Sequence, residues 1–180
     1  MGLRTWDSKG GVLLVEIRRA AASDMDAIAD AHLDSIRTIG PRYYADDIVT
    51  EWASRVTSSL YANAMTRGET FFIACCTDKS QPAVLGFSSH RVDEGEHRTA
   101  VYVRGSAARR GVGSALFRAA EAHAISAGAT CIHLDASLAA VEFYKSNGFN
   151  EIASGEHVLW SGLRMPCIFM RKDVGAVHRA

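Results

Sequence analysis

The spacing of apolar positions changes several times along the chain, and each change marks an element. Val12 to Ile17 reads as a first strand. From Ser23, with Asp26 three residues on, Met25, Ile28, Ala29, Leu33 and Ile36 recur at helical spacing until Gly40-Pro41 stops the run. A second helix is expected from about Asp46, because Ile48, Trp52 and Val56 stand four residues apart; it continues through Leu60 and Met65 to Gly68, with a break near Ser58-Ser59. Phe71–Cys76 and Ala83–His90 flank a turn at Asp78–Pro82 and read as a hairpin. A loop at Asp93–Glu96 leads to a strand at Thr99–Val103. The second half alternates in type. A Gly-rich turn at Arg109–Gly113 opens a helix ending near Gly128, Thr130–Asp135 is a strand, and Ala139–Asn147 is a helix closed by Gly148. Strands near Asn150–Ala153 and Cys167–Arg171 complete the order β-α-α-β-β-β-α-β-α-β-β, which predicts one α/β domain with a mixed sheet covered by helices. It spans residues 12–172, between a polar flexible leader at 1–11 and a flexible tail at 173–180.

Composition narrows the function classes. The 180 residues carry 20 Lys and Arg against 20 Asp and Glu, so the net charge is zero. Binding nucleic acid through bulk charge needs a basic excess, and that class is set aside. No apolar run approaches the roughly 20 residues that span a bilayer, and the first residues lack a signal-peptide core, so a cytoplasmic protein without membrane contact is expected. Cys75 and Cys76 are adjacent while Cys131 and Cys167 stand alone. Without a C-x-x-C pair they read as reduced fillers, and no metal site is expected.

The segment richest in chemistry is Val101-Tyr102-Val103-Arg104-Gly105-Ser106-Ala107-Ala108-Arg109-Arg110-Gly111-Val112-Gly113-Ser114. A strand here passes through a short loop into a helix that opens Gly-x-Gly-Ser. Amides in the first turn of a helix lack acceptors and, with the helix dipole, can hold phosphate; Arg109 and Arg110 add charge. There is no Lys after the second glycine, which excludes a Walker A loop, and no third glycine at the dinucleotide spacing.

On these residues the chain resembles the GCN5-related N-acetyltransferase (GNAT) superfamily, whose coenzyme A signature is Gln/Arg-x-x-Gly-x-Gly/Ala after such a strand. Gly111 and Gly113 are in place, and Ala108 stands where the family usually has Gln or Arg. The stretch Asp135 to Phe149, ending Phe143-Tyr144-Lys145-Ser146-Asn147-Gly148-Phe149, resembles the family's second signature. Tyr44, Ile48 and Trp52 are similar to an aromatic stretch of bacterial members, and the resemblance runs from about Val12 to Lys172.

The resemblance implies a single-domain fold with a mixed, mostly antiparallel sheet, helices on both faces, and central parallel strands, those of Tyr102 and Ile132, splayed apart. It implies acetyl-CoA as acyl donor and a small-molecule or peptide amine as acceptor, with homodimers common. Val101, Tyr102, Val103, the run from Ala108, Arg109, Arg110, Gly111 and Val112 to Gly113 and Ser114, and also Ser137 and Tyr144, would bind the donor. Tyr144 would protonate the departing thiolate. Tyr43, Tyr44 and Trp52 would wall the acceptor. The family often places a base Glu where Thr99 stands here, so Glu96 and His97 just upstream are the candidates for the amine's proton. His90 and His133 read as strand histidines. Two rival functions stay open: a catalytically silent acyl-CoA-binding sensor or interaction domain, and a binder of nucleotide phosphates.

Overall fold

The computed structural model describes residues 2–6, 12–76 and 84–175, with side chains from Leu14 onward. The expected turn at 78–82 lies outside the described residues, as do residues 7–11 of the leader and 176–180 of the tail. Strands β1 (Gly2–Trp6) and β2 (Val12–Arg19) precede helices α1 (Met25–Ile39), α2 (Asp46–Ser54) and α3 (Ser58–Thr66). Strands β3 (Thr70–Cys76), β4 (Val84–Asp93) and β5 (Glu96–Val103) then lead to helix α4 (Val112–Ser126). The chain finishes with β6 (Cys131–Ser137), α5 (Val141–Ser146), β7 (Asn150–Val158) and β8 (Arg164–Asp173).

The expected break at Ser58-Ser59 is a true helix boundary, where the Thr57 hydroxyl accepts from the amide of Leu60 as the N-cap of α3. Four elements differ from expectation. Gly2–Trp6 pairs with β2 as an edge strand that the pattern of residues did not reveal. Strand β5 starts at Glu96, so Glu96 and His97 are strand residues facing Asp93 and Val92 across a tight hairpin. Strand β7 extends to Val158; as an edge strand with almost every residue exposed, it carries no hydrophobic alternation to read. Val174, in the expected tail, is held by a bond from its amide to the carbonyl of Thr130 at 3.0 Å.

The eight strands form one sheet in the order β1-β2-β3-β4-β5-β6-β8-β7. All neighbours are antiparallel except β5 and β6, which are parallel and meet only at Arg98 and His133. Beyond that pair the two strands diverge. Helices cover both faces of the sheet. On one, Met25, Ile28 and Ile36 of α1 and Tyr61 of α3 pack with Phe71, Ile73 and Phe87. On the other, Val112 and Leu116 of α4 close over Val15, Ala74 and Leu85. Phe117, Ile132, Leu134, Tyr144, Phe149 and Met170 make a third cluster beside the divergent strands.

Candidate active site

Where β5 leaves β6, its edge amides have no strand to pair with. A buried amide without a partner is costly, and here a side chain supplies the partner: the Val101 N–H donates to the Tyr144 hydroxyl at 3.1 Å. Val103, two residues on, presents its amide to the same gap by strand alternation. Tyr144 reaches the gap from α5, and only 4% of it is exposed. Burial raises its phenol above the usual range, with Tyr102 contributing and the Val101 amide opposing. The hydroxyl therefore stays protonated at neutral pH. Its oxygen is used as an acceptor, and its own proton makes no hydrogen bond among the described residues.

The loop from β5 to α4 is fixed at its root. Arg104 is buried; its Nε donates to the Val84 carbonyl at 2.8 Å, and its guanidinium pairs with Asp30 and, at 3.7 Å, with Asp34. Asp30 and Asp34 stand one helical turn apart on α1, and Asp34 also accepts from the Gly105 amide at 2.9 Å. From this anchor the chain makes a short 3-10 turn at Gly105–Ala107, with Ala108 extended after it. Arg109 (φ 63°) and Gly111 (φ 79°) are then left-handed, a conformation open to Gly and strained for Arg. The first helical bond of α4 runs from the Ala115 amide to the Gly111 carbonyl, so the amides of Val112, Gly113 and Ser114 have no acceptor within the helix. A Cβ on Gly113 would stand 3.0 Å from the Phe143 ring, so α5 packs directly against the start of α4. Successive residues Phe143 and Tyr144 thus hold the turn into α4 and the strand gap in one unit. These amides, backed by Arg109 and Arg110, fit a pyrophosphate, and the gap at Val101–Val103 fits an extended chain lying along the strand. Ser137 ends β6, on the far side of that gap.

The aromatic residues expected around an acceptor have three different fates. Tyr43 is exposed. Tyr44 is buried, and its hydroxyl donates to the Pro166 carbonyl (2.9 Å) and accepts from the Leu138 amide (2.7 Å), tying the ends of β6 and β8 to the α1–α2 connection. Its polar capacity is spent on structure, so it offers a bound molecule only its ring. Trp52 is half-buried and sets its edge against His32 (6.0 Å), Tyr44 (6.0 Å) and Tyr102 (6.3 Å). A cavity of about 580 Å³ opens beside this cluster, between α3 and the surface of β3, β4 and β5.

Glu96 and His97 are not brought to this centre. They precede Val101 by five and four residues, about 17 and 14 Å along a strand. Glu96 pairs with Arg98 at 3.3 Å, and Arg98 reaches Asp135 at 2.6 Å. His97 belongs to a chain of imidazoles in which His90 bonds to His97 and to His123, each at 2.9 Å. Burial, then the neighbouring His123 and His97, lowers His90 to about 4. His133 sits beside Cys131 at 3.3 Å. Two residues that shape the site escaped the sequence reading. Arg104 is signalled by the Asp30/Asp34 spacing, and His32 by its place four residues from both Ile28 and Ile36 on the buried stripe of α1.

A model of the acetyltransferase (GNAT) domain matches residues 41–171. The chain belongs to the GNAT acetyltransferase family. Among solved structures, a GCN5-related N-acetyltransferase from Rhodopseudomonas palustris is similar with a TM-score of 0.76 and 24% identity over 88% of this chain and 95% of that one. The PaiA N-acetyltransferase of Thermoplasma acidophilum, in complex with coenzyme A, gives 0.69 and 16% over 88% and 98%. A phosphinothricin acetyltransferase from Sinorhizobium meliloti, in complex with acetyl-CoA, gives 0.63 and 17% over 89% of each chain. At these identities the likeness is one of fold. No curated protein matches the sequence. The GNAT arrangement expected from the two signatures is present: an α/β domain with helices on both faces and splayed parallel strands at its centre. Among the described residues no His, Cys, Asp and Glu cluster is placed to hold a metal ion, and no helix is long and apolar enough to cross a membrane.

Proposed function

We infer that this GNAT chain moves an acetyl group from acetyl-CoA to a primary amine by direct attack within a ternary complex. The observation that carries the reading is the Tyr144 hydroxyl, 3.1 Å from the Val101 amide in the mouth of the strand gap. Backbone groups of Val101 and Val103 hold the donor's extended arm as an added strand would be held. The amides from Arg109 to Ser114 take its pyrophosphate, and Ser137 flanks the arm on the β6 side. An amide at the gap also stabilises the thioester oxygen as charge builds there; a donor of this kind is worth about 3 kcal/mol.

The amine lone pair attacks the thioester carbonyl, the carbon–sulfur bond breaks, and the sulfur takes the Tyr144 proton. The amine nitrogen gives up one proton to water, and water returns one to Tyr144. Burial keeps the phenol protonated at neutral pH, so it holds a proton to give as the thiolate departs. Trp52 and the ring of Tyr102 face the acceptor. Relatives are named for both phosphinothricin and ribosomal-protein alanine, so small-molecule and peptide amines both belong in the first screen.

Acetyl-CoA at a hundredfold excess over its dissociation constant should stabilise the protein by about 2.7 kcal/mol. A thiol reagent should report coenzyme A release when a suitable amine is added. The absence of any thermal shift at millimolar acetyl-CoA would refute donor binding. A shift without release across a broad amine panel would favour a silent acyl-CoA sensor.

A further inference from the structure

The cavity beneath α3 begins at His32 and Tyr102 and runs along β4 past Phe87 and Ser89 to Arg91 and Asp93. Its inner end is one residue from Val101, and its outer end lies at the β4–β5 hairpin. The two ends differ in chemistry. At the outer end the charges are compensated: Arg91 stands 3.9 Å from Glu69 and 3.8 Å from Asp93. The inner end is aromatic. The His32 ring lies 3.7 Å from that of Tyr102, centroid to centroid, with Phe87 at 5.8 Å and Trp52 at 6.0 Å.

His32 is itself 93% buried (7% exposed). Its Nδ1 is hydrogen-bonded to the Tyr61 hydroxyl. Its Nε2 has no partner, the single buried side-chain nitrogen or oxygen left so among the described residues. The bond to Tyr61 explains one ring nitrogen of a histidine on the apolar stripe of α1 and leaves the other without a structural reason. His32 lines the cavity, next to the strand where chemistry is placed, and an orphaned nitrogen on such a residue fits a group that is completed by a ligand.

We propose that His32 is a specificity residue, that its Nε2 hydrogen-bonds the body of the acceptor, and that the preferred acceptor is an amine with an aromatic or apolar body bearing one neutral polar substituent. This rests on the acetyl-transfer reading. Burial lowers the imidazole to about 3, so at neutral pH the ring is uncharged and offers one donor or acceptor beyond its bond to Tyr61. A hydroxyl or amide satisfies that site. A charged substituent at the same depth would lie among Trp52, Phe87 and Tyr102, while the acids that line the cavity, Glu69 and Asp93, already stand beside Arg91. A site built to hydrogen-bond a hydroxyl discriminates strongly against an analogue lacking it, because its own polar atom is left unpaired.

Tyramine and phenethylamine, which differ by one hydroxyl, test this. The wild-type protein should show kcat/KM at least tenfold higher for tyramine. His32→Phe should bring the two amines within about twofold by raising KM for tyramine, with KM for acetyl-CoA unchanged, and His32→Gln should restore part of the preference. Equal use of the two amines by the wild type, or a preference that survives His32→Phe, overturns the proposal. Binding is read separately on wild-type protein labelled with ¹⁵N-histidine and loaded with coenzyme A. Tyramine should move the His32 Nε2 resonance and phenethylamine should not; no movement with tyramine also overturns the proposal. Because this readout needs no turnover, it stands apart from failure of the acetyl-transfer reading, which shows as no acetyl-CoA thermal shift and no thiol release with any amine.

Discussion

The two ends of β5 lie about 24 Å apart along the strand and are built on opposite principles. At the C-terminal end the strand has lost its parallel neighbour, and a phenol from α5 caps the Val101 amide in place of a strand. A left-handed Arg and Gly follow, and then the open N-terminus of α4. At the N-terminal end everything is paired: Asp93 with Glu96 and Val92 with His97 across the hairpin, Arg98 with Glu96 and Asp135, and His97 with His90. Backbone groups left without partners are where a ligand finds bonds to make. The N-terminal end, already satisfied, contributes rigidity and sets the direction of the strand.

That contrast can be broken at several points. Gly111→Val forces a β-branched residue into a left-handed turn and displaces the amides that follow it; a misplacement of about 1 Å is enough for about a hundredfold loss. Acetyl-CoA affinity by calorimetry should fall by about that factor while the unliganded protein keeps its fold. Wild-type affinity in this variant would mean that the turn does not hold the donor. Arg104→Met removes the charged bond to the Val84 carbonyl and the pairing to Asp30 and Asp34, and should cost about 1–3 kcal/mol in urea unfolding. An unchanged midpoint would show that the root of the loop is held by other contacts.

The paired end should respond to acid instead. His90 is lowered from 6.5 to about 4 in the fold, so below pH 6.5 the unfolded chain binds a proton that the folded chain refuses. Stability is therefore lost as pH falls from about 6.5 to about 4, and His90→Leu should flatten part of that slope in thermal melts. His32, lowered to about 3, adds to the same slope and would keep it from vanishing. The smallest effect is expected at Glu96: Glu96→Gln should change kcat by less than about twofold and leave the pH–rate profile unmoved, since Glu96 stands five residues, about 17 Å along the strand, from Val101. A shifted acid limb would return Glu96 to the proton path.

Much of the architecture was legible because buried elements carry periodic apolar residues. The stripe Met25–Ile36 and the alternation of type after Gly113 placed the helices, while the parallel pair followed from the family resemblance. What escaped lacked that signal. Strand β1 and the second half of β7, beyond the expected Asn150–Ala153, lie at the sheet's edges, and the sequence Ser154-Gly155-Glu156 has no buried face to pattern. The turn into α4 was readable since Gly111 takes a left-handed φ and Gly113 leaves room for the Phe143 ring. The acceptor side depends on which side chains meet in space. Tyr44 looked like a wall of the pocket but spends its hydroxyl on Pro166 and Leu138, while His32 sat unnoticed because apolar periodicity passes over a polar residue on a buried stripe.

The account turns on Tyr144, and the single-turnover rate of Tyr144→Phe tests it most directly. The substitution removes one oxygen and keeps the ring that packs against Phe143 and Phe149. With acetyl-CoA preloaded and amine saturating, the rate of coenzyme A release should fall at least tenfold, within the range of about 10²–10⁴ for a well-placed general acid. The acetyl-CoA thermal shift should hardly change. Release at the wild-type rate would contradict the account and leave Tyr144 as a cap for the Val101 amide alone.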